Sequence, residues 1–316
     1  ELARAYLDAE ATANQALHRH SLDTRHHGFV PYLGESETHD GERLLLFERV
    51  VSRLADAPPT SLADYAEAAA AGGPTALARL QADGGPTPQR LLRELVRPLA
   101  HLHSLGYIHR DVKPENLLLD GSAEPPRLLL IDLGSCAPTD GCGAFERLWG
   151  GCQLTSEQRA PCSPLYAPPE QFADADHPEA FDVYAAAITF LRLVWPELAS
   201  ESGVGEFRES LMSAAGGDLG VWLAARLRRT ALPPALSSGL DAFPAGDVAA
   251  LALLRAMLHP DPARRPAADA ILAHPWVSST SGGGVAAAAT PAAAAASVAH
   301  ELARILGDEC ELPTER

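Results

Sequence analysis

Apolar residues recur at helical spacing in two stretches of the chain, and each stretch predicts an amphipathic helix. In residues 1–20, the apolar stripe consists of Leu2, Tyr6, Ala9, Ala13 and Leu17. Glu10 lies beside this stripe. In residues 88–105, a second stripe consists of Leu91, Leu95, Leu99 and Leu102. A spacing of three to four residues places side chains on one face of a helix, so both stripes are expected to face a core.

Short apolar runs between these helices and after them predict strands. Phe29 to Leu33 and Arg43 to Glu48 flank Asp40-Gly41, a dipeptide that favours a hairpin turn. Two further short strands are predicted at Asn116 to Asp120 and at Leu128 to Asp132, separated by the loop Gly121 to Pro126.

Three other segments bound the architecture. Residues 52–88 are rich in Ala, Gly and Pro; Ser61 to Tyr65 has the pattern of a capped helix start, and the part near 66–88 is expected to be an insertion or a mobile loop. Residues 278–316 form a low-complexity tail that is expected to add no chemistry. Val183 to Trp195 is the most apolar run, but it carries Arg192 and is shorter than the roughly 20 residues of a membrane span, which predicts a buried helix.

Composition excludes several classes of function. The net charge of -16 argues against nucleic acid or an anionic membrane as the main partner, because both require a basic face. The 5 cysteines include no Cys-x-x-Cys pair, which argues against a zinc site, and their odd number argues against a disulfide scaffold. A reducing compartment is therefore expected.

The segment His109 to Asn116 carries the strongest candidate chemistry. It resembles the catalytic loop of eukaryotic Ser/Thr protein kinases, in which an Asp follows His-Arg and an Asn follows five residues later. The resemblance implies that Asp111 accepts the proton of a substrate hydroxyl, that Asn116 binds Mg2+ and that Lys113 steadies the moving phosphoryl group of ATP. A polar turn after a helix is the alternative.

Downstream motifs follow in the order of that family. Asp132-Leu133-Gly134 resembles the family's Asp-Phe-Gly, which makes Asp132 the second Mg2+ ligand. The resemblance further implies that Asp182 braces the backbone of the catalytic loop and that Arg265 pairs with Glu170. Ser163 falls where the family has a Thr that contacts the catalytic lysine. Each motif is weak alone, but their common order and spacing support one another.

Upstream, the resemblance assigns the nucleotide site. Glu10 would be the acidic residue of the family's αC helix, Phe47 the gatekeeper, and the backbone of Glu48 and Val50 would meet the adenine of ATP. An ordinary exposed helix Glu and a buried strand without a ligand are the alternatives.

The expected fold is α+β, a bilobal protein-kinase-like fold with a mainly helical large lobe. Residues 1–48 would be the remnant of the small lobe, residues 49–277 the hinge and large lobe, and residues 278–316 the tail. The family's first strands, its Gly-rich loop and its β3 lysine are absent, and the chain's one lysine is Lys113. Since the chain also begins at Glu1 and not at Met, a record truncated at its front is expected.

The predicted function is transfer of the ATP γ-phosphoryl group to Ser or Thr of protein substrates, and the alternative is a catalytically impaired kinase-like scaffold. Secondary motifs resemble the state-transition kinases of chloroplast thylakoids, which phosphorylate light-harvesting and photosystem proteins. That resemblance implies a thylakoid location; otherwise a cytoplasmic one is expected. The motifs are Tyr166 to Gln171, Phe181 to Tyr184, Leu193 to Leu198 and Asp218 to Trp222.

Two hypotheses concern regulation. Arg110 suggests that a phosphate on the activation segment orders the site, with Thr139, Thr155 and Ser156 as candidates. Cysteines in that segment could form a disulfide, although unpaired thiols are the alternative that the surrounding residues favour. They are Cys136, Cys142, Cys152 and Cys162.

Overall fold

The computed structural model describes six ranges of residues, which make up most of the 316-residue chain. These ranges are residues 2–20, 24–51, 60–139, 163–171, 173–223 and 248–279. Predictions for Thr155, Ser156, Cys142, Cys152 and Cys162, and for the tail beyond residue 279, lie outside the described residues.

The smaller part of the molecule consists of one helix and one hairpin. Helix α1 (Leu2–His20) precedes β1 (Tyr32–Glu37), which pairs antiparallel with β2 (Arg43–Phe47) across a turn where Gly41 has a φ of 81°. A positive φ is a conformation that glycine adopts at no steric cost, as the Asp-Gly turn predicts. The first strand begins at Tyr32 and not at Phe29, because Phe29 instead bridges to Leu130 of the larger part.

The larger part is mainly helical and surrounds one core. Helix α4 (Pro88–Ser104) buries its predicted leucine stripe completely, and α5 (Ala180–Val194) is buried along its whole length. Around them lie α2 (Leu62–Ala70), α3 (Ala76–Ala82), α6 (Glu201–Ala215), α7 (Val248–Met257), α8 (Ala268–Ala273) and α9 (Pro275–Ser278). No helix among the described residues has the length and apolar character needed to cross a membrane.

Short strands at the boundary of the two parts position the candidate site. Two of them, β5 (Leu117–Asp120) and β6 (Arg127–Leu130), form a three-stranded sheet with β3 (Thr60–Ser61). The other two, β4 (Tyr107–Ile108) and β7 (Ala137–Pro138), pair with each other. Residues 109–116 therefore lie between β4 and β5, and residues 131–136 between β6 and β7.

One prediction for the large lobe is corrected by the structure. The segment near 66–88 is not a mobile loop, because it contains the packed helix α3, with Leu77 and Leu80 buried against α2 and α5. The prediction that this segment is an insertion stays a prediction. The hydroxyl of Thr75 accepts a hydrogen bond from the N–H of Ala78 and caps this helix. Alanine and glycine dominate the surrounding sequence, and they gave too weak a periodic signal for a helix of 7 residues.

Candidate active site

The carboxylate of Asp111 lies at the centre of a polar cluster in the loop between β4 and β5. Its Oδ2 accepts a hydrogen bond from Lys113 Nζ at 2.6 Å, and its Oδ1 accepts one from the backbone N–H of Ser163 at 2.8 Å. Asn116 Nδ2 donates to the backbone oxygen of Asp111 at 2.9 Å. The structure thus brings together Asp111, Lys113 and Asn116. Ser163 does reach this cluster, but its described contact is from its backbone to Asp111 and not to Lys113.

The carboxylate of Asp182 holds the backbone of the same loop in place through hydrogen bonds. It accepts hydrogen bonds at 2.7 Å from the N–H groups of both His109 and Arg110, and it pairs with His103 Nε2 at 2.9 Å. Burial alone would raise the pKa of Asp182, but the hydrogen bonds from the His103 side chain and from the backbone N–H of His109 lower it overall. Arg110 has a φ of 67°, a left-handed conformation that these bonds stabilise.

His109 is neutral in this arrangement because complete burial lowers its pKa. Its Nδ1 accepts the N–H of Asp111 at 3.3 Å, so Nε2 carries the proton and donates to the backbone oxygen of Ile131 at 3.2 Å. This bond joins the loop of Asp111 to the loop of Asp132.

Asn116 and Asp132 offer oxygen atoms of the kind that Mg2+ prefers. The amide nitrogen of Asn116 is engaged within its own loop, which leaves the amide oxygen for a metal. The N–H of Ile131 donates to the backbone oxygen of Asn116 at 2.9 Å, so the two loops are in contact beside Asp132. No group of three or more His, Cys, Asp or Glu side chains in the described ranges could bind a metal. Two oxygen donors fit Mg2+, because this ion retains waters and takes further oxygens from phosphates.

A cavity of about 350 Å³ separates the hairpin from these loops. Its lining includes Glu10, Phe47, Glu48, Val50 and Asp132, so all four predicted nucleotide-site residues and Phe47 face one space. The N–H of Glu48 donates to the backbone oxygen of Pro31 at 2.8 Å. That bond leaves the carbonyl oxygen of Glu48 as the hydrogen-bonding group of its backbone that a ligand could use.

Glu10 lies across the cavity from the hairpin and next to Asp132. Burial and the neighbouring charge of Asp132 raise its pKa to about 6, while a hydrogen bond from the backbone N–H of Leu133 lowers it. The chain's one lysine is Lys113, which binds Asp111, so no lysine of this chain neutralises Glu10. Glu10 is thus a pocket residue and not an ordinary exposed helix Glu.

Arg265 and Glu170 form the predicted ion pair at the end of the segment that follows Ser163. Arg265 Nη1 and Nη2 donate to the two carboxylate oxygens at 2.6 and 2.7 Å. Its side chain is 0% exposed, and it also donates to the backbone oxygen of His259 at 2.7 Å. A bidentate ion pair of this kind fixes the geometry of both side chains.

The two regulatory hypotheses remain predictions. Arg110 Nε donates to the backbone oxygen of Ser135 at 2.7 Å, and the N–H of Thr139 donates to that of Gly106 at 2.8 Å. Cys136 is a buried free thiol whose pKa is raised by burial, so it is poorly suited to exchange with a disulfide.

Sequence reasoning missed four contacts that shape the site. Arg25 pairs with Glu48 at 2.7 Å and with the buried carboxylate of Asp120, His103 pairs with Asp182, and Arg192 pairs with Glu115. The only available signal was the presence of Arg192 in an otherwise apolar helix, because a buried charge requires a partner. The identity of that partner depends on the tertiary fold.

Comparison with known proteins agrees with this geometry. A family model described as "Protein kinase domain" matches residues 81–277. "Calcium-dependent protein kinase 12" of Arabidopsis thaliana is 29% identical over 193 residues, which are 60% of this chain and 32% of that protein. "Serine/threonine-protein kinase STN7, chloroplastic" of Arabidopsis thaliana is 29% identical over 205 residues, which are 60% of this chain and 35% of that protein. The chain thus spans about a third of the length of these relatives.

A solved structure confirms the predicted fold. The crystal structure of a Stt7 homolog from Micromonas algae, soaked with ATP, superimposes with a TM-score of 0.61. It is 20% identical in sequence, and the match covers 88% of this chain and 82% of that one. The likeness shows the protein-kinase-like fold, with few strands in the smaller part.

Proposed function

This chain belongs to the protein kinase family, and we propose that it transfers the γ-phosphoryl group of ATP to Ser or Thr residues of protein substrates. The observation that carries the proposal is the placement of Asp111. Its carboxylate is oriented by Lys113 and by the backbone of Ser163, and Asn116 fixes the loop behind it.

In this proposal, each residue acts on a group that the geometry lets it reach. Asp111 orients the substrate hydroxyl and accepts its proton, and Lys113 places positive charge beside the reacting oxygens. Asn116 and Asp132 would bind Mg2+, which when bound neutralises phosphate charge. The carbonyl of Glu48 and the N–H of Val50 would meet the adenine edge, with Glu10 at the phosphate side of the cavity.

We assign the lobes as the sequence predicts. Residues 1–48 contribute the small-lobe part of the cavity, and residues 49–277 contribute the hinge and the large lobe, with residues 278–316 as a tail. The cavity supports this division, because Glu10, Phe47 and Glu48 reach it from the first segment and Val50 and Asp132 from the second.

One observation favours a second candidate function, a kinase-like protein that binds partners without transfer. The one lysine of the given sequence binds Asp111, and burial and the charge of Asp132 raise the pKa of Glu10 to about 6. Measuring Mg2+-dependent ATP binding and transfer of labelled phosphate to a Thr peptide separates the two functions. Binding with transfer supports the enzyme, whereas partner binding with neither supports the scaffold.

A finer proposal concerns substrates and location. The likeness to the chloroplastic kinase STN7 supports action in the chloroplast. As substrates we propose thylakoid light-harvesting or photosystem proteins, which the resemblance of the sequence motifs to state-transition kinases implies. Incubation of the purified protein with washed thylakoids and labelled ATP tests it. Label on threonine of membrane antenna proteins is expected, while equal labelling of an unrelated soluble protein would contradict the substrate assignment.

A further inference from the structure

Arg192 is a buried charged residue to which the proposed mechanism gives no task. It lies in α5, a helix with no exposed face, and its side chain is 3% exposed. Its Nη1 donates to the hydroxyl of Tyr166 and, at 3.2 Å, to Oε1 of Glu115. One turn earlier on the same helix, Thr189 Oγ1 donates to the backbone oxygen of Val112 at 3.1 Å. Helix α5 thus contacts the catalytic loop from beneath at two points.

The two partners of Arg192 flank the place where a substrate must lie. Glu115 stands between Lys113 and Asn116, and Tyr166 follows Ser163, whose N–H orients Asp111. A peptide that presents a hydroxyl to Asp111 therefore passes over the surface at Glu115, since the Glu115 side chain is partly exposed whereas Tyr166 is 3% exposed. Glu115 is the one carboxylate of residues 109–116 besides Asp111.

The carboxylate of Glu115 is turned away from that surface. Its side chain is 37% exposed as a whole, yet Oε2 is buried and has no hydrogen-bond partner among the described residues. A carboxylate oxygen is more stable in water than in such a place, unless another contact compensates. The pair with Arg192 is that contact, since it pulls Glu115 inward and cancels its charge.

We propose that Arg192 determines substrate specificity by keeping Glu115 neutralised and withdrawn, so that the site accepts peptides with no basic residue beside the acceptor hydroxyl. The inference rests on the proposed function and deepens it. Without Arg192, the carboxylate would turn towards the peptide and bind Arg or Lys there. Arg192 acts through Glu115 and is a positioning residue.

The test measures peptide binding, which requires no phosphotransfer. Labelled peptides carry one Thr in an alanine background, and an Arg is placed in turn at each flanking position. Dissociation constants are measured by fluorescence anisotropy for the wild type and for Arg192→Gln, Arg192→Lys, Glu115→Gln and the double variant Arg192→Gln/Glu115→Gln. The matched control is Arg255→Gln, which removes a partly buried ion pair with Asp218 elsewhere in the lobe.

The wild type is expected to bind Arg and Ala peptides equally within about twofold. Arg192→Gln should gain about fivefold for Arg at one position, the size of one partly exposed ion pair. The gain should be absent in Arg192→Lys, in Arg255→Gln and in the double variant. A folded Arg192→Gln protein without the gain, or the same gain in Arg255→Gln, would overturn the proposal.

If Arg192→Gln does not fold, Glu115→Gln decides. Glu115→Gln should bind the Arg and Ala peptides with the same ratio of dissociation constants as the wild type, because Glu115 is already neutralised there. If the wild type prefers the Arg peptides and Glu115→Gln loses that preference, the inference is refuted. A parallel phosphotransfer assay keeps the two proposals apart. Peptide binding with the specificity switch but no transfer refutes only the proposed function, whereas transfer without the switch refutes only the role of Arg192.

Discussion

The carboxylate of Asp182 accepts a hydrogen bond at 2.7 Å from the backbone N–H of Arg110, a residue whose φ is 67°. This contact links α5, which is buried along its whole length, to the loop that presents Asp111. The left-handed conformation of an arginine costs free energy, so the loop requires an outside contact to hold its shape. The position of the Asp111 carboxylate thus depends on Asp182, which lies 72 positions after Arg110 in the chain.

Replacing Asp182 with Asn should destabilise the fold, because an amide cannot accept all the hydrogen bonds that the buried carboxylate accepts. We expect the free energy of unfolding to fall by about 3 kcal/mol at pH 7, as measured by urea denaturation. The folded-state pKa of Asp182 lies below its ordinary value of 3.8, so its contribution is fully present above that pH. It is lost as the pH falls through the lower folded-state pKa.

The difference in the free energy of unfolding between wild type and Asp182→Asn should therefore become smaller in acid. Asp40→Asn is the control, since the Asp40 side chain is 85% exposed in the hairpin turn. A control variant as unstable as Asp182→Asn would show that the effect is not specific to the buried carboxylate.

The pair of Arg265 and Glu170 should show strong coupling. Removing either partner leaves the other without its ion pair in a buried place, which typically costs about 3 kcal/mol or more. We expect Glu170→Gln, Arg265→Met and the double variant to yield a coupling free energy of about 2 kcal/mol in a double-mutant cycle. Additive effects of the two single variants would mean that the pair contributes nothing beyond its separate residues.

Glu10 should make stability depend on pH in the opposite direction to Asp182. Its pKa is raised to about 6 from an ordinary 4.5, so the stability associated with Glu10 is present below pH 4.5 and is lost as the pH rises through about 6. Glu10→Gln removes this loss. The free energy of unfolding of Glu10→Gln minus that of the wild type should be about 1 kcal/mol larger at pH 8 than at pH 4. This value allows for solvent screening at this half-buried site.

The comparison is made by thermal or urea unfolding at both pH values, with Glu209→Gln on the exposed face of α6 as the control. The control should show the same difference from wild type at both pH values. If Glu10→Gln behaves like the control, Glu10 does not carry the raised pKa.

The sequence predicted the parts of this molecule that repeat a pattern or a motif. The leucine stripe of α4, the pairing of Arg265 with Glu170 and the brace from Asp182 are all present as expected. It did not predict helix α3, because alanine and glycine give little periodic contrast. It also missed the partners of Arg25, His103 and Arg192, since those contacts join residues far apart in the chain and depend on packing.

The measurement that tests the account most directly is the initial rate of labelled phosphate transfer from ATP to a Thr peptide, with Mg2+, by the purified protein and by Asp111→Asn. The asparagine keeps the size of the side chain but cannot accept the proton. We expect a Mg2+-dependent rate that falls by about 10²- to 10⁴-fold in Asp111→Asn and is unchanged in Asp40→Asn. Equal rates in wild type and Asp111→Asn would contradict the role of Asp111 as the catalytic base.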